Sequence, residues 1–127
     1  MRIAIVDDDV SHCRALARLM RAAGMEALTF SSAEAFLDSP QGRTAECIVL
    51  DIQLGGMSGF DLQHLLAADP GAPPVVFLTA HTETETIARA AASGCAYLRK
   101  IEPAENLLAA IRAAAARRTP PPPGSAG

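Results

Sequence analysis

RIAIVDDD, residues 2–9, runs from a short apolar stretch directly into three consecutive aspartates. An almost unbroken apolar run of this length is the signature of a strand buried on both faces, as in a parallel sheet. Carboxylates placed where such a strand ends lie at the edge of the sheet, outside its carboxyl end. The stretch therefore asks whether other strands of the same kind end in polar residues that could meet these aspartates.

Four further runs follow: EALTF (26–30), CIVL (47–50), VVFLT (75–79) and CAYL (95–98). EALTF alternates more than the others, which suits an edge. Helical patterns separate them. Residues 10–23 place Cys13, Leu16, Leu19, Met20 and Ala23 at helical spacing before Gly24. Ser31 with Glu34 reads as a capping box for a short second helix through Ala35, Phe36 and Leu37. Residues 58–68 carry Phe60, Leu62, Leu65 and Leu66. Residues 83–93 are alanine-rich and end at Gly94, and residues 103–118 carry Leu107, Leu108 and Ile111 behind Pro103. Strands alternating with helices imply an α/β fold class: a (βα)5 doubly wound parallel sheet with helices on both faces, for which right-handed crossovers permit the strand order 2-1-3-4-5. Ligands of such sheets bind at the carboxyl ends of the strands, where the winding reverses, here between strands 1 and 3.

The chain has 127 residues, half of them apolar, with a net charge of −3 and a pI near 5.5. One domain with a real core is expected. The acidic balance and the lack of a basic stripe argue against direct nucleic-acid binding. Apolar runs too short to span a bilayer and the lack of a signal-peptide pattern lead to an expectation of no membrane and a cytoplasmic location. Cys13, Cys47 and Cys95 are odd in number, without metal-ligand spacing, and read as buried reduced thiols. The ending TPPPPGSAG divides the chain into a domain at 1–118 and a proline-rich tail or linker stub at 119–127.

The polar residues behind the strands carry the chemistry. Asp7, Asp8 and Asp9 follow strand 1, Asp51 strand 3, Thr79-Ala80-His81 strand 4, and Lys100 strand 5. Asp9 is the natural N-cap of the first helix. Asp7, Asp8 and Asp51 cannot all stay ionised side by side without a compensating cation. Hard carboxylate oxygens with room for water suit Mg²⁺. Lys100 is the only lysine among ten arginines, a compact and mobile ammonium where a planar guanidinium would not serve. A divalent cation, an ammonium and a hydroxyl around one carboxylate can stabilise a transferring phosphoryl group, with Asp51 as nucleophile.

IVDDD (5–9), VLDIQLGGMSG (49–59), FLTA (77–80) and AYLRK (96–100), in this order, resemble the receiver domain of two-component response regulators, a bacterial signalling family. The resemblance runs from about Arg2 to Arg118. It implies that Asp51 is the phosphoacceptor and that Asp7, Asp8, Asp51 and the backbone carbonyl of Gln53 hold Mg²⁺, Asp8 more directly than Asp7. It implies that Thr79 and Lys100 bind phosphoryl oxygens, that Thr79 and Tyr97 form the switch, and that Gln53 and His81 tune the lifetime of the phosphate. The partners it implies are a sensor histidine kinase or phosphotransfer protein, and a downstream target or missing output domain. A homodimer could form through the fourth helix, fifth strand and fifth helix, the surface expected to switch. Such a domain is no enzyme in the ordinary sense, since it catalyses only its own phosphorylation and dephosphorylation. The alternatives are a receiver-like interaction module that works without phosphorylation and a Mg²⁺-dependent aspartyl phosphatase. His12 and His64 read as ordinary surface or boundary residues.

Two positions depart from the family pattern. Proline, commonly cis, usually follows the lysine, and Ile101 stands there instead. A cis bond to a residue other than proline costs about 3–4 kcal/mol, so a trans Lys100–Ile101 peptide is expected. Gly55-Gly56 replaces a region where the family commonly has proline, which predicts a more mobile loop over residues 53–58.

Overall fold

The computed structural model describes residues 1–80, 84–100 and 102–117. His81, Ile101 with its peptide bond, and the tail from 119 lie outside the described residues, as does the proposed boundary at 118. The elements are β1 (Arg2–Val6), α1 (Val10–Ala22), β2 (Glu26–Phe30), α2 (Ala33–Asp38), β3 (Cys47–Asp51), α3 (Gly59–Ala67), β4 (Val75–Thr79), α4 (Thr84–Ala92), β5 (Ala96–Arg99) and α5 (Ala104–Arg117). A single 3-10 turn, Pro40–Thr44, lies between α2 and β3 and has no counterpart in the periodicity.

All four strand pairings are parallel, and the order is β2-β1-β3-β4-β5. Each central strand sends alternate residues to opposite faces. Ile3, Ile5, Cys47, Val49, Val76 and Leu78 pack with Leu16 and Met20 of α1 and with Leu107 and Ile111 of α5. Ala4, Val6, Ile48, Leu50 and Phe77 pack instead with Phe36 of α2, Leu62 and Leu66 of α3, and Ala90 of α4. Two separate cores therefore clamp one sheet, which is why the central strands must be apolar throughout. The winding reverses between β1 and β3, because β2 is added on one side of β1 and β3 to β5 on the other.

Local chemistry sets the helix ends. Asp9 caps α1 by accepting the amide of His12 at 3.2 Å. Gly24, with φ of +82°, and Gly94, with φ of +78°, reverse the chain after α1 and α4 in the left-handed region that favours glycine. The second helix corrects the sequence reading. Its cap is Ser32, which accepts the amide of Ala35 at 3.0 Å, and not Ser31. Glu34, expected to close that box, instead accepts the amide of Met57 at 3.1 Å and ties α2 to the β3–α3 loop. A reciprocal capping box opens α3, where Ser58 and Asp61 satisfy each other's amides at 3.1 and 3.2 Å. Cys13 and Cys47 are buried as expected, whereas Cys95 is only half-buried because it precedes the edge strand β5. No helix among the described residues is long and apolar enough to cross a membrane.

Candidate functional site

The parallel sheet carries the chain ends of β1, β3, β4 and β5 to one edge. Asp7 directly follows β1, Asp51 closes β3, Thr79 closes β4, and Lys100 directly follows β5. The Lys100 amide donates to the Thr79 carbonyl at 2.8 Å, extending the β4–β5 ladder by one step and setting where the lysine side chain leaves the sheet. Asp7, Asp51 and Thr79 are the buried polar residues among those described, at 2, 6 and 2% exposure. Polar groups withdrawn from water at one strand edge, in a core otherwise apolar, require mutual compensation.

That compensation is visible atom by atom. Lys100 Nζ lies 3.2 Å from Asp7 Oδ2 and 3.3 Å from Asp51 Oδ2, so one ammonium bridges two carboxylates. Asp51 Oδ1 accepts the Gln53 amide at 3.2 Å. Asp7 Oδ1 accepts the Asp9 amide at 2.9 Å. Burial pushes the Asp7 carboxyl up, but hydrogen bonds from His12 and Asp9 and the charge of Lys100 outweigh it, and the group ends below its ordinary value. Asp51 goes the other way. Burial and then the negative charge of Asp7 raise it, and Lys100 offsets this only in part. Burial alone would lower Lys100, yet the charges of Asp51 and Asp7 hold it above its ordinary value.

Asp8 stands beside this pair with an exposed side chain, and one oxygen each of Asp7, Asp8 and Asp51 lies within 4.8 Å of the others. Three hard oxygen donors at one edge of the sheet, one of them open to water, fit a Mg²⁺ that keeps part of its hydration shell. The excess of carboxylates over cations gives the same answer electrostatically, since the one ammonium contacts Asp7 and Asp51 while Asp8 adds a third acidic group beside them.

Over residues 3–112 the sequence matches the model of the response regulator receiver domain. The chain belongs to that family. The receiver is 36% identical over 112 residues to Nodulation protein W of Bradyrhizobium diazoefficiens, covering 87% of this chain and 49% of that protein. It is 36% identical over 111 residues to Response regulator protein TmoT of Ectopseudomonas mendocina, covering 87% and 50%. It thus spans about half the length of these curated relatives. Among solved structures, a response regulator receiver protein from Burkholderia phymatum superposes with a TM-score of 0.78 at 38% identity, covering 91% of this chain and 94% of that one. The chemotaxis protein CheY4 of Vibrio cholerae, at 23% identity and a TM-score of 0.77 over 89% and 97% of the two chains, shares the fold.

The receiver brings Asp7, Asp51 and Lys100 into direct contact, with Asp8 in reach and Thr79 on the same strand edge. Gln53 is exposed and contributes its amide to Asp51. Tyr97 pairs in register with Phe77 and is 40% exposed. His81 lies outside the described residues. His64 is exposed on α3, as read.

Two residues of the site escaped the sequence reading. His12, taken for a boundary residue, puts Nδ1 against Asp7 Oδ2. The available signal was its place in the first turn of the helix that Asp9 caps, five residues beyond Asp7. Gly59, the first residue of α3, donates its amide to the Ile52 carbonyl at 2.9 Å. A Cβ built there would lie 2.2 Å from the carbonyl oxygen of Asp51. The lack of a side chain at Gly59 is what lets α3 press against the back of the Asp51 backbone. Its signal was the last glycine of VLDIQLGGMSG.

Proposed function

We propose that this receiver accepts a phosphoryl group on Asp51 from the phosphohistidine of a sensor kinase or phosphotransfer protein. The observation that carries the reading is the Lys100 ammonium, shared between Asp51 and Asp7 at 3.3 and 3.2 Å. A carboxylate oxygen of Asp51 attacks phosphorus, forming an O–P bond as the N–P bond to the donor histidine breaks. The resulting acyl phosphate adds about −1.5 to −2 charges. Lys100 is already in place to meet them, and Thr79 ends the neighbouring strand at the same edge. Asp7, Asp8 and Asp51, with the carbonyl of Gln53, would hold Mg²⁺. When bound, the ion neutralises negative charge on the phosphoryl oxygens.

The switch we propose builds on the same geometry. New acceptor oxygens at Asp51 draw Thr79 and Lys100, and Tyr97 on β5 reports the change on the surface formed by α4, β5 and α5. Coupling of this kind is typically about 1–3 kcal/mol. We read that surface as the contact for a downstream protein, an output domain joined through residues 119–127, or a second copy of the chain. Curated relatives include a protein named DNA-binding response regulator MtrA, of which this chain covers 50%. That name supports an output beyond the receiver in that relative.

Incubation with acetyl phosphate or phosphoramidate and Mg²⁺ should add one phosphate per chain, and Asp51→Asn should abolish it. Stoichiometric labelling of the Asn variant would refute the assignment.

A further inference from the structure

Asp7 is nearly inaccessible, and both of its oxygens are in use. Oδ1 holds the Asp9 amide. Oδ2 receives two donors, the Lys100 ammonium at 3.2 Å and Nδ1 of His12. The same ammonium lies 3.3 Å from Asp51 Oδ2. One mobile cation therefore serves two buried carboxylates. On the reading that Asp51 is phosphorylated, the cation must follow the new charge at Asp51. If Lys100 were the sole side chain on Asp7 Oδ2, that move would leave a buried, cation-holding carboxylate with no side-chain donor to orient it, only the Asp9 amide on its other oxygen.

We propose that His12 is a positioning residue that removes this conflict. Its imidazole holds Asp7 Oδ2 permanently, so Lys100 is free to transfer its contact to the phosphoryl group while Asp7 keeps its aim at the bound cation. The ring is well placed for a fixed donor. Its backbone is pinned in the first turn of α1 by the Asp9 cap at 3.2 Å, and its side chain is 21% exposed. It acts through Asp7 and not as a ligand. Among the described residues, the acidic, histidine and cysteine side chains close enough to share one ion are those of Asp7, Asp8 and Asp51. Hydrogen bonds that orient a ligating carboxylate are commonly worth a factor of about 10–100 in metal affinity or activity.

The single lysine makes the test direct. Labelling with ¹⁵N-lysine gives one ammonium resonance, that of Lys100. In the unaltered chain, Mg²⁺ with beryllofluoride, a phosphoryl mimic, should shift that resonance. His12→Leu should require roughly 10-fold more Mg²⁺ for half-saturation, shift the resonance less, and slow acetyl phosphate labelling. His12→Asn, whose amide nitrogen stands near the place of Nδ1, should restore all three. A Leu variant with unaltered Mg²⁺ affinity and an unaltered resonance shift would overturn the role of His12. So would an Asn variant as impaired as the Leu variant. Failure of the unaltered chain to take label at Asp51 would sink the phosphoacceptor reading instead, and the Mg²⁺ affinities of the two variants would still decide the role of His12.

Discussion

Replacing Asp51 by Asn should make the metal-free protein more stable, although it removes an ion pair. At an effective dielectric of about 20, the Lys100–Asp51 contact at 3.3 Å is worth about 5 kcal/mol. Two carboxylate oxygens at the 4.8 Å limit repel by about 3.5 kcal/mol, and Asp7 stands within that limit of Asp51. Asp8 adds repulsion, reduced by its exposure. The Gln53 amide returns about 1 kcal/mol. The favourable balance of about 2.5 kcal/mol is smaller than the several kcal/mol needed to take a carboxylate out of water. Ionised Asp51 therefore costs the fold about 1–2 kcal/mol, consistent with its upward pKa shift. The Asn variant keeps the shape and leaves Lys100 on Asp7.

Urea unfolding at pH 7 in EDTA should show Asp51→Asn stabilised by about 1–2 kcal/mol, or about 3–6 °C in melting temperature per kcal/mol for a chain of this size. The pH dependence has a definite sign. A carboxyl raised on folding imposes its penalty above its folded pKa and loses it as pH falls toward the unfolded value near 3.9. The advantage of the variant must shrink on acidification through that window. It must also narrow on addition of Mg²⁺, which binds the native state with all three aspartates better than the variant. A variant no more stable than the unaltered chain in EDTA would refute the reasoning. A gap indifferent to Mg²⁺ would do the same.

Two further outcomes follow from the packing. Gly59→Ala places a methyl 2.2 Å from the Asp51 carbonyl oxygen, so α3 must retreat or β3 must bend. Overpacking of this kind costs about 1–3 kcal/mol, and labelling of Asp51 should slow as well; unfolding free energies within 0.5 kcal/mol of each other, roughly the scatter of neutral surface changes, would contradict the contact. Burial pushes the Cys47 thiol up to about 12, whereas Cys95 is half-buried. Iodoacetamide at pH 8 should therefore modify Cys95 well before Cys47 in the native protein, and equal rates at the two would show that the β3 core opens readily.

Much of this molecule was legible in local patterns. Continuous apolar runs at β1, β3 and β4 announced strands covered on both faces, and alternation in EALTF announced an edge; CAYL read as covered on both faces too, but β5 is the other edge, its residues alternately half-buried and exposed. Both follow from the two-residue period of a strand, which one sequence window displays completely. The convergence of Asp7, Asp51, Thr79 and Lys100 was legible too, since each immediately follows or ends a strand and parallel strands end on one side. The cap of α2 was misplaced by one residue because Ser31 and Ser32 are equally good caps, and Glu34 was drawn away by the Met57 amide, a partner 23 positions distant.

By itself, then, the sequence determined the kind of sheet and the edge at which its charges meet, because periodicity and strand termini are local properties; the strand order came from the crossover rule and the family resemblance, and the pairing of remote segments bears it out. The tertiary structure alone decided which groups share an atom. That Lys100 divides itself between two carboxylates, that His12 takes the remaining side of Asp7, and that Gly59 must be bare behind Asp51 depend on distances of a few ångströms between segments remote in the chain. Those distances are set by how α1 and α3 pack on opposite faces of the sheet, and no spacing in the sequence encodes them.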